Sequence, residues 1–172
     1  MNYQSEYPQQ QAFHPSYPLA QSSPATAVLA GLSSLAVAGG IGGASAYFLA
    51  EFPSYGNVFD LPAGMQSILI GRLAIAALAL IGAIMLFARR RAGAPVVAIS
   101  AILGAASLPL EPVVSEMLRG IGLSVSDYFQ ALFEFNDTYT ILLAVGAAAA
   151  LLAFLFAILP PTGRWLRGAR RY

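Results

Sequence analysis

Apolar positions in this chain run in four long unbroken stretches, residues 25–50, 61–88, 92–110 and 138–159, and polar positions gather between them. Crossing the ~30 Å hydrocarbon layer takes roughly 20 apolar residues as an α-helix, so each stretch predicts a transmembrane helix. A transmembrane β-barrel would instead alternate in polarity over about ten residues per strand, whereas these runs are continuous and rich in Ala, Leu and Gly. The first run lacks a basic flank before it and is too long for a signal core, so its helix is expected to stay in the mature protein. The pattern predicts an all-α membrane protein, with a four-helix transmembrane domain over residues 24–163.

Between the third and fourth runs, residues 111–137 change to helical periodicity in two pieces. In the first, Pro112 suits a helix start, and Val113, Val114, Met117, Leu118 and Ile121 share a face. In the second, Ser124 or Ser126 can cap the amino end, with Asp127 in the first turn. Val125, Tyr128, Phe129, Leu132, Phe133 and Phe135 fill one arc there, opposite Asp127, Gln130, Ala131 and Glu134. Two short amphipathic helices on the outer surface are predicted, and Tyr128, Phe129, Leu132 and Phe133 are candidate interaction residues. Their apolar faces rest in the interface, cover the bundle or meet a partner groove.

Within the first helix, Ala36, Gly39, Gly40, Gly43 and Ala44 recur at three- and four-residue spacing, and Gly39 and Gly43 form a GxxxG pair. Small side chains let helix backbones approach in lipid, so this face is expected to contact another helix, of this bundle or of a second subunit. Ser100, Ala101, Gly104 and Ala105 in the third helix, and Gly146, Ala147 and Ala150 in the fourth, repeat the pattern. A tightly packed bundle follows, without the recurring polar face that a wide pore requires.

Charge gives this bundle a direction. Hydrophobic residues make up 58% of the chain and charged residues 10%, a balance that a water-soluble core of this size could not hide. All nine basic residues are Arg. Arg89, Arg90 and Arg91 separate the second and third helices, and Arg164, Arg167, Arg170 and Arg171 follow the fourth. Segments 51–60 and 111–137 carry seven of the eight acids with Arg119. Because Lys and Arg resist translocation, the arginine clusters and both termini are expected in the cytoplasm and the acidic segments outside a plasma membrane. Residues 1–23, rich in Gln, Pro, Ser and Tyr, read as a disordered cytoplasmic tail. Tyr3, Tyr7, Phe13 and Tyr17 among its prolines also suit docking into an aromatic-lined groove. Residues 164–172 read as a basic cytoplasmic tail.

Candidate chemistry is sparse. Arg72 is the one charge within a predicted span, and counting outward from Arg89 at 1.5 Å per residue places it about 24 Å away, near the outer edge. It is expected to snorkel to headgroups or to Glu51, Asp60 or Glu111, or else to hold a transported or lipid anion. No acid is expected deep enough in a helix for a proton relay. His14 has no second ligand nearby, and Glu134 with Asp137 could form at most a weak divalent-cation site. The chain lacks cysteine, a Walker-type phosphate loop, a GxSxG elbow and an HExxH helix, so no catalytic residue, cofactor or metal is assigned. Trp165 reads as an interfacial anchor. The arginine clusters read as topology signals with a second use on anionic lipid, and nucleic acid is not an expected partner.

The passage from Leu80 to Gly93, with Arg89, Arg90 and Arg91 closing the second helix, is similar to the second and third helices of small four-helix membrane proteins of actinobacterial type. Those proteins also tend to have a tail like residues 1–23. The resemblance implies a plasma-membrane protein and transfers no functional residue. Abundant packing surface without chemistry leads to the expectation of a non-enzymatic accessory or scaffold subunit of a membrane or cell-envelope complex, in contact with the bilayer and with other membrane subunits. The alternative is a small transporter or lipid-handling protein that uses Arg72.

Overall fold

The computed structural model describes residues 24–51, 60–115 and 124–168. The amino-terminal tail with His14, the center of the 51–60 connection, most of the first outer amphipathic piece and the last four residues lie outside the described residues. Among the described residues, all regular structure is helical. Helix α1 (Ala25–Val37) passes through a π-helical turn (Ala38–Gly42) into α2 (Gly43–Glu51), and together they make one membrane-length rod. Helices α3 (Ala63–Phe87), α4 (Gly93–Val114) and α6 (Thr138–Ile158) are the other three elements long and apolar enough to cross a membrane. Short helices sit at opposite ends of this bundle: α5 (Val125–Glu134) at the acid-rich end and α7 (Pro160–Gly168) at the arginine-rich end. The chain is a multi-pass membrane protein.

The bundle is packed in the reverse sense to a soluble one. Its interior is built largely of small side chains, with Ala30, Ala79 and Ala153 at 0% exposure, whereas Ile70 is 66% exposed, Ile84 64% and Leu151 63%. Such an apolar exterior is stable only against lipid. Helices in lipid are held by close packing rather than by hydrophobic burial, and polar side chains add to that packing: the buried Ser34 hydroxyl donates to the Ala79 carbonyl across α1 and α3 at 2.8 Å.

The closest backbone approach in the first helix does not use the GxxxG pair. A Cβ on Gly40 would lie 2.5 Å from both the Gly146 nitrogen and its Cα, and one on Gly42 would lie 2.6 Å from the Ala76 methyl. Gly39 faces outward with nothing within 4 Å of such a Cβ, and Gly43 meets only Leu142 methyls at 3.8 Å. The π turn is the physical reason. Its wider winding inserts a residue into the α repeat, so Gly40 and Gly42 turn inward and Gly39 turns away.

Helix α4 also departs from its expected limits. It was expected to stop at Leu110, with a new helix from Pro112, yet it runs through Pro109 and Pro112 to Val114. Each proline removes one backbone donor, but ending the helix at this level would strand several more groups near hydrocarbon. Glu111, read from sequence as part of an external segment, thereby becomes part of a membrane-crossing helix and is buried. The second outer helix forms as the periodicity predicts. Ser124 caps α5 in a reciprocal capping box with Asp127, the arrangement that satisfies two orphan donors at once.

Helix α7 was not foreseen. Pro160 and Pro161 suit a stop to α6, and the residues after them were assigned to the end of the span and a tail. Instead the Thr162 hydroxyl, fully buried, donates to the Phe156 carbonyl at 2.8 Å and accepts from the Thr26 hydroxyl at 3.0 Å. It thereby satisfies a carbonyl that the prolines cannot serve and folds the chain back as a second short helix.

Candidate functional site

Arg72 lies on a stripe of α3 with Met65, Leu69, Ala76, Ala79, Ala83 and Leu86, all of them buried. The four- and three-residue spacing of this stripe keeps one face toward the bundle, so Arg72 cannot reach lipid headgroups and is 0% exposed. Snorkelling is therefore replaced by pairing. One guanidinium nitrogen, Nη2, is 2.8 Å from Glu111 Oε2, and the other, Nη1, donates to the Tyr139 hydroxyl at 2.6 Å. Longer contacts of 3.5 Å reach the Ser107 hydroxyl and carbonyl. Of the three acids considered for Arg72, Glu111 is the partner.

Two further helices converge on Glu111. Ser107 precedes it by one helical turn on the same face of α4. Tyr139, in the first turn of α6, donates its hydroxyl to Oε1 at 2.5 Å. Tyr128 of α5 donates to Oε2, so this short helix is tied directly to the buried charge. Burial, and then the neighbouring Glu111 carboxylate, push the Tyr128 phenol well above its usual value, which keeps it a donor. Among the described residues, every buried side-chain nitrogen and oxygen has a hydrogen-bond partner. Four helices thus meet at one neutralised ion pair near the acid-rich end.

The other candidates divide. Leu132 is buried and Tyr128 and Phe129 are partly buried, so the face of α5 that carries them lies on the bundle. Phe133 is 68% exposed and points away, as do Val125 and Phe135. Gly43 meets Leu142 methyls and Gly39 meets nothing within 4 Å, and neither is among the groups bonded to Arg72 or Glu111. Asp137 caps α6 by accepting from the Thr140 amide at 2.9 Å, while Glu134 accepts from Gln130 and Asn136. Among the described residues, no group of three or more His, Cys, Asp and Glu side chains could hold a metal ion.

Sequence reasoning missed Ser107, Tyr139 and the central part of Glu111. A usable signal was present: Gly104, Ser107 and Glu111 follow the inward spacing of α4, and Arg72 is in phase with Leu69 and Ala76 on α3. At the other end, Trp165 is partly buried and the Arg89 guanidinium sits over its ring, 4.7 Å from the centroid, a cation–π contact. No protein-family model, curated protein or solved structure matches the chain.

Proposed function

We propose that the protein is a non-enzymatic accessory or scaffold subunit of a larger membrane or cell-envelope complex, inserted in the plasma membrane with its arginine-rich end and both termini in the cytoplasm. One observation carries this reading. The one buried charge centre among the described residues is satisfied from within the chain, by Glu111, Tyr139 and Ser107, and so works as a brace rather than a receptor. Its reach extends to α5 through Tyr128, which holds that helix as a fixed platform with Val125, Phe133 and Phe135 left exposed. Apolar residues held outward at a membrane boundary suit contact with a neighbouring subunit or with the lipid interface. Orientation rests on the arginine clusters alone.

The experiment is isolation of the tagged full chain from its native membrane in a mild detergent, with in-membrane cross-linking beforehand. A discrete higher-mass species that is weakened by Phe133→Ser supports the proposal. A chain that is monomeric under both conditions, with no cross-linked neighbour, counts decisively against it.

The alternative, a transporter or lipid-handling protein in which Arg72 holds an anion, has less support because the Glu111 carboxylate already takes the place such a ligand would need. Substituting Arg72 alone cannot separate the two readings, since it strands a buried carboxylate. The paired change of Arg72→Met with Glu111→Leu removes both charges together. Anion transport by the unaltered chain in vesicles that disappears with this pair favours the transporter, whereas a scaffold shows none to lose.

A further inference from the structure

At the arginine-rich end, the turn between α3 and α4 and the helix α7 border an open cavity of about 280 Å³ lined by Arg91, Ala94, Gly163, Leu166 and Arg167. We propose that this cavity is a binding site for a phosphate group, either the headgroup phosphate of an anionic lipid in the adjoining leaflet or free inorganic phosphate.

Two features make the site preformed. The turn is held by a Schellman-type ending of α3: the Arg90 amide bonds the Met85 carbonyl at 2.8 Å and the Arg89 amide bonds Leu86 at 2.9 Å. Arg89 takes the left-handed conformation, φ 53°, that this motif requires at its penultimate position. Its guanidinium then stacks on Trp165 and pins α7 beside the turn, which holds together the cavity that Arg91 and Arg167 both line. The Arg167 guanidinium lies back over Gly163, one of its nitrogens 3.9 Å from where a Cβ there would stand.

Charge selects the ligand. The acids among the described residues, Glu51, Asp60, Glu111, Asp127, Glu134 and Asp137, all lie toward the other end of the bundle, so none of them neutralises Arg91 or Arg167. Guanidinium groups match the oxygens of phosphate through forked, charge-assisted hydrogen bonds. Leu166 and Ala94 supply an apolar wall suited to the glycerol and upper acyl carbons that accompany a headgroup. At roughly 30 Å³ per water in the liquid, the volume exceeds what a single ordered water needs.

The test uses the full chain in mild detergent and native mass spectrometry with phosphatidylglycerol or phosphatidylcholine of identical acyl chains. A parallel arm follows thermal unfolding in inorganic phosphate against chloride at matched ionic strength. Phosphatidylglycerol is expected to be retained over phosphatidylcholine, and R91Q/R167Q is expected to lose that retention by about tenfold or more, since a charge-assisted contact is worth that much. R90Q/R164Q removes the same net charge outside the cavity and should stay within about twofold of the unaltered chain. R91K/R167K, which keeps charge but loses the fork, should fall between, and it keeps the test valid if the glutamine pair unfolds. Stabilisation by inorganic phosphate without any lipid preference, lost in R91Q/R167Q, supports the site and assigns it to a soluble source. The proposal is overturned by equal retention of the two lipids with no effect of phosphate. Equal losses in the two glutamine pairs overturn it as well, because they point to diffuse surface charge.

Discussion

Glu111→Ala is the perturbation that isolates the buried centre. At the 2.8 Å separation of Arg72 and Glu111, an effective dielectric of about 20 gives a gross attraction of about 6 kcal/mol, most of which offsets the cost of keeping both charges from water. The net worth of the pair is therefore modest, while the cost of breaking it is not. An Arg72 at 0% exposure without its carboxylate is expected to cost about 3–5 kcal/mol, a large share of the roughly 5–15 kcal/mol that holds a typical domain folded. Arg72→Met strands Glu111 and belongs in the same range. Combining Arg72→Met with Glu111→Ala removes both charges and leaves the Tyr128 and Tyr139 hydroxyls short of an acceptor, at about 1–3 kcal/mol each.

The double variant should thus cost about 2–6 kcal/mol where the single changes sum to roughly 6–10 kcal/mol. The measurement is a double-mutant cycle read from equilibrium unfolding in mixed micelles of mild detergent and dodecyl sulfate, followed by helical circular dichroism. At the midpoints of those ranges the coupling is about 4 kcal/mol, against the ~0.5 kcal/mol within which independent sites add. Neutral interhelical hydrogen bonds in membranes average only about 0.6 kcal/mol, so a coupling of this size identifies charge as its source. Additive costs, or a Glu111→Ala variant as stable as the unaltered chain, would refute the assignment of a buried, mutually neutralised pair.

Tyr128→Phe removes the bond from α5 to Glu111, and a hydrogen bond to a charged group is worth about 1.5–3 kcal/mol; amide exchange across Val125–Glu134 should quicken roughly 10- to 100-fold while α3 and α6 hold, and unchanged exchange would deny the tether. Gly40→Ala places a methyl against the Gly146 backbone and should cost about 1–3 kcal/mol through overpacking, whereas Gly39→Ala, with open space around it, should stay within about 0.5 kcal/mol; equal effects in an unfolding titration would contradict the rotated face. Acid should loosen the start of α5, because the Ser124 hydroxyl, and then its backbone amide, hold the Asp127 carboxyl below its usual value. A depressed folded value means that the capping contribution is complete above the ordinary aspartate value of about 3.9 and is lost as pH falls through the lower folded one. Exchange at the first α5 amides measured down the acid range should rise only there, and Ser124→Ala, which leaves only the backbone amide bond to Asp127, should weaken that pH dependence.

The limits of the sequence reading lie where a local rule met the solvent of this protein. Length and apolarity identify four spans because lipid demands both, and the outer periodicity identifies α5 because its capping box and apolar arc are local properties. The prolines at 109 and 112 mislead for the opposite reason: in water they would end a helix, but at the edge of hydrocarbon the unpaired backbone that follows a break costs more than two missing donors. Everything that makes Glu111 central depends on that extension, since only a residue within α4 can face Arg72. The depth estimate for Arg72 placed it correctly toward the acid-rich end, yet depth says nothing of azimuth. Its phase with Leu69, Ala76 and Ala79 turns it inward, and an inward arginine in a bundle of alanines has no exit except a carboxylate. The GxxxG pair fails on azimuth too, because a single π turn rotates Gly39 off the face that spacing assigned to it. Rotational phase, more than depth or composition, therefore decides which residues of such a small-residue bundle can act together, and phase was readable on α3 and α4 but not across the π turn of the first rod.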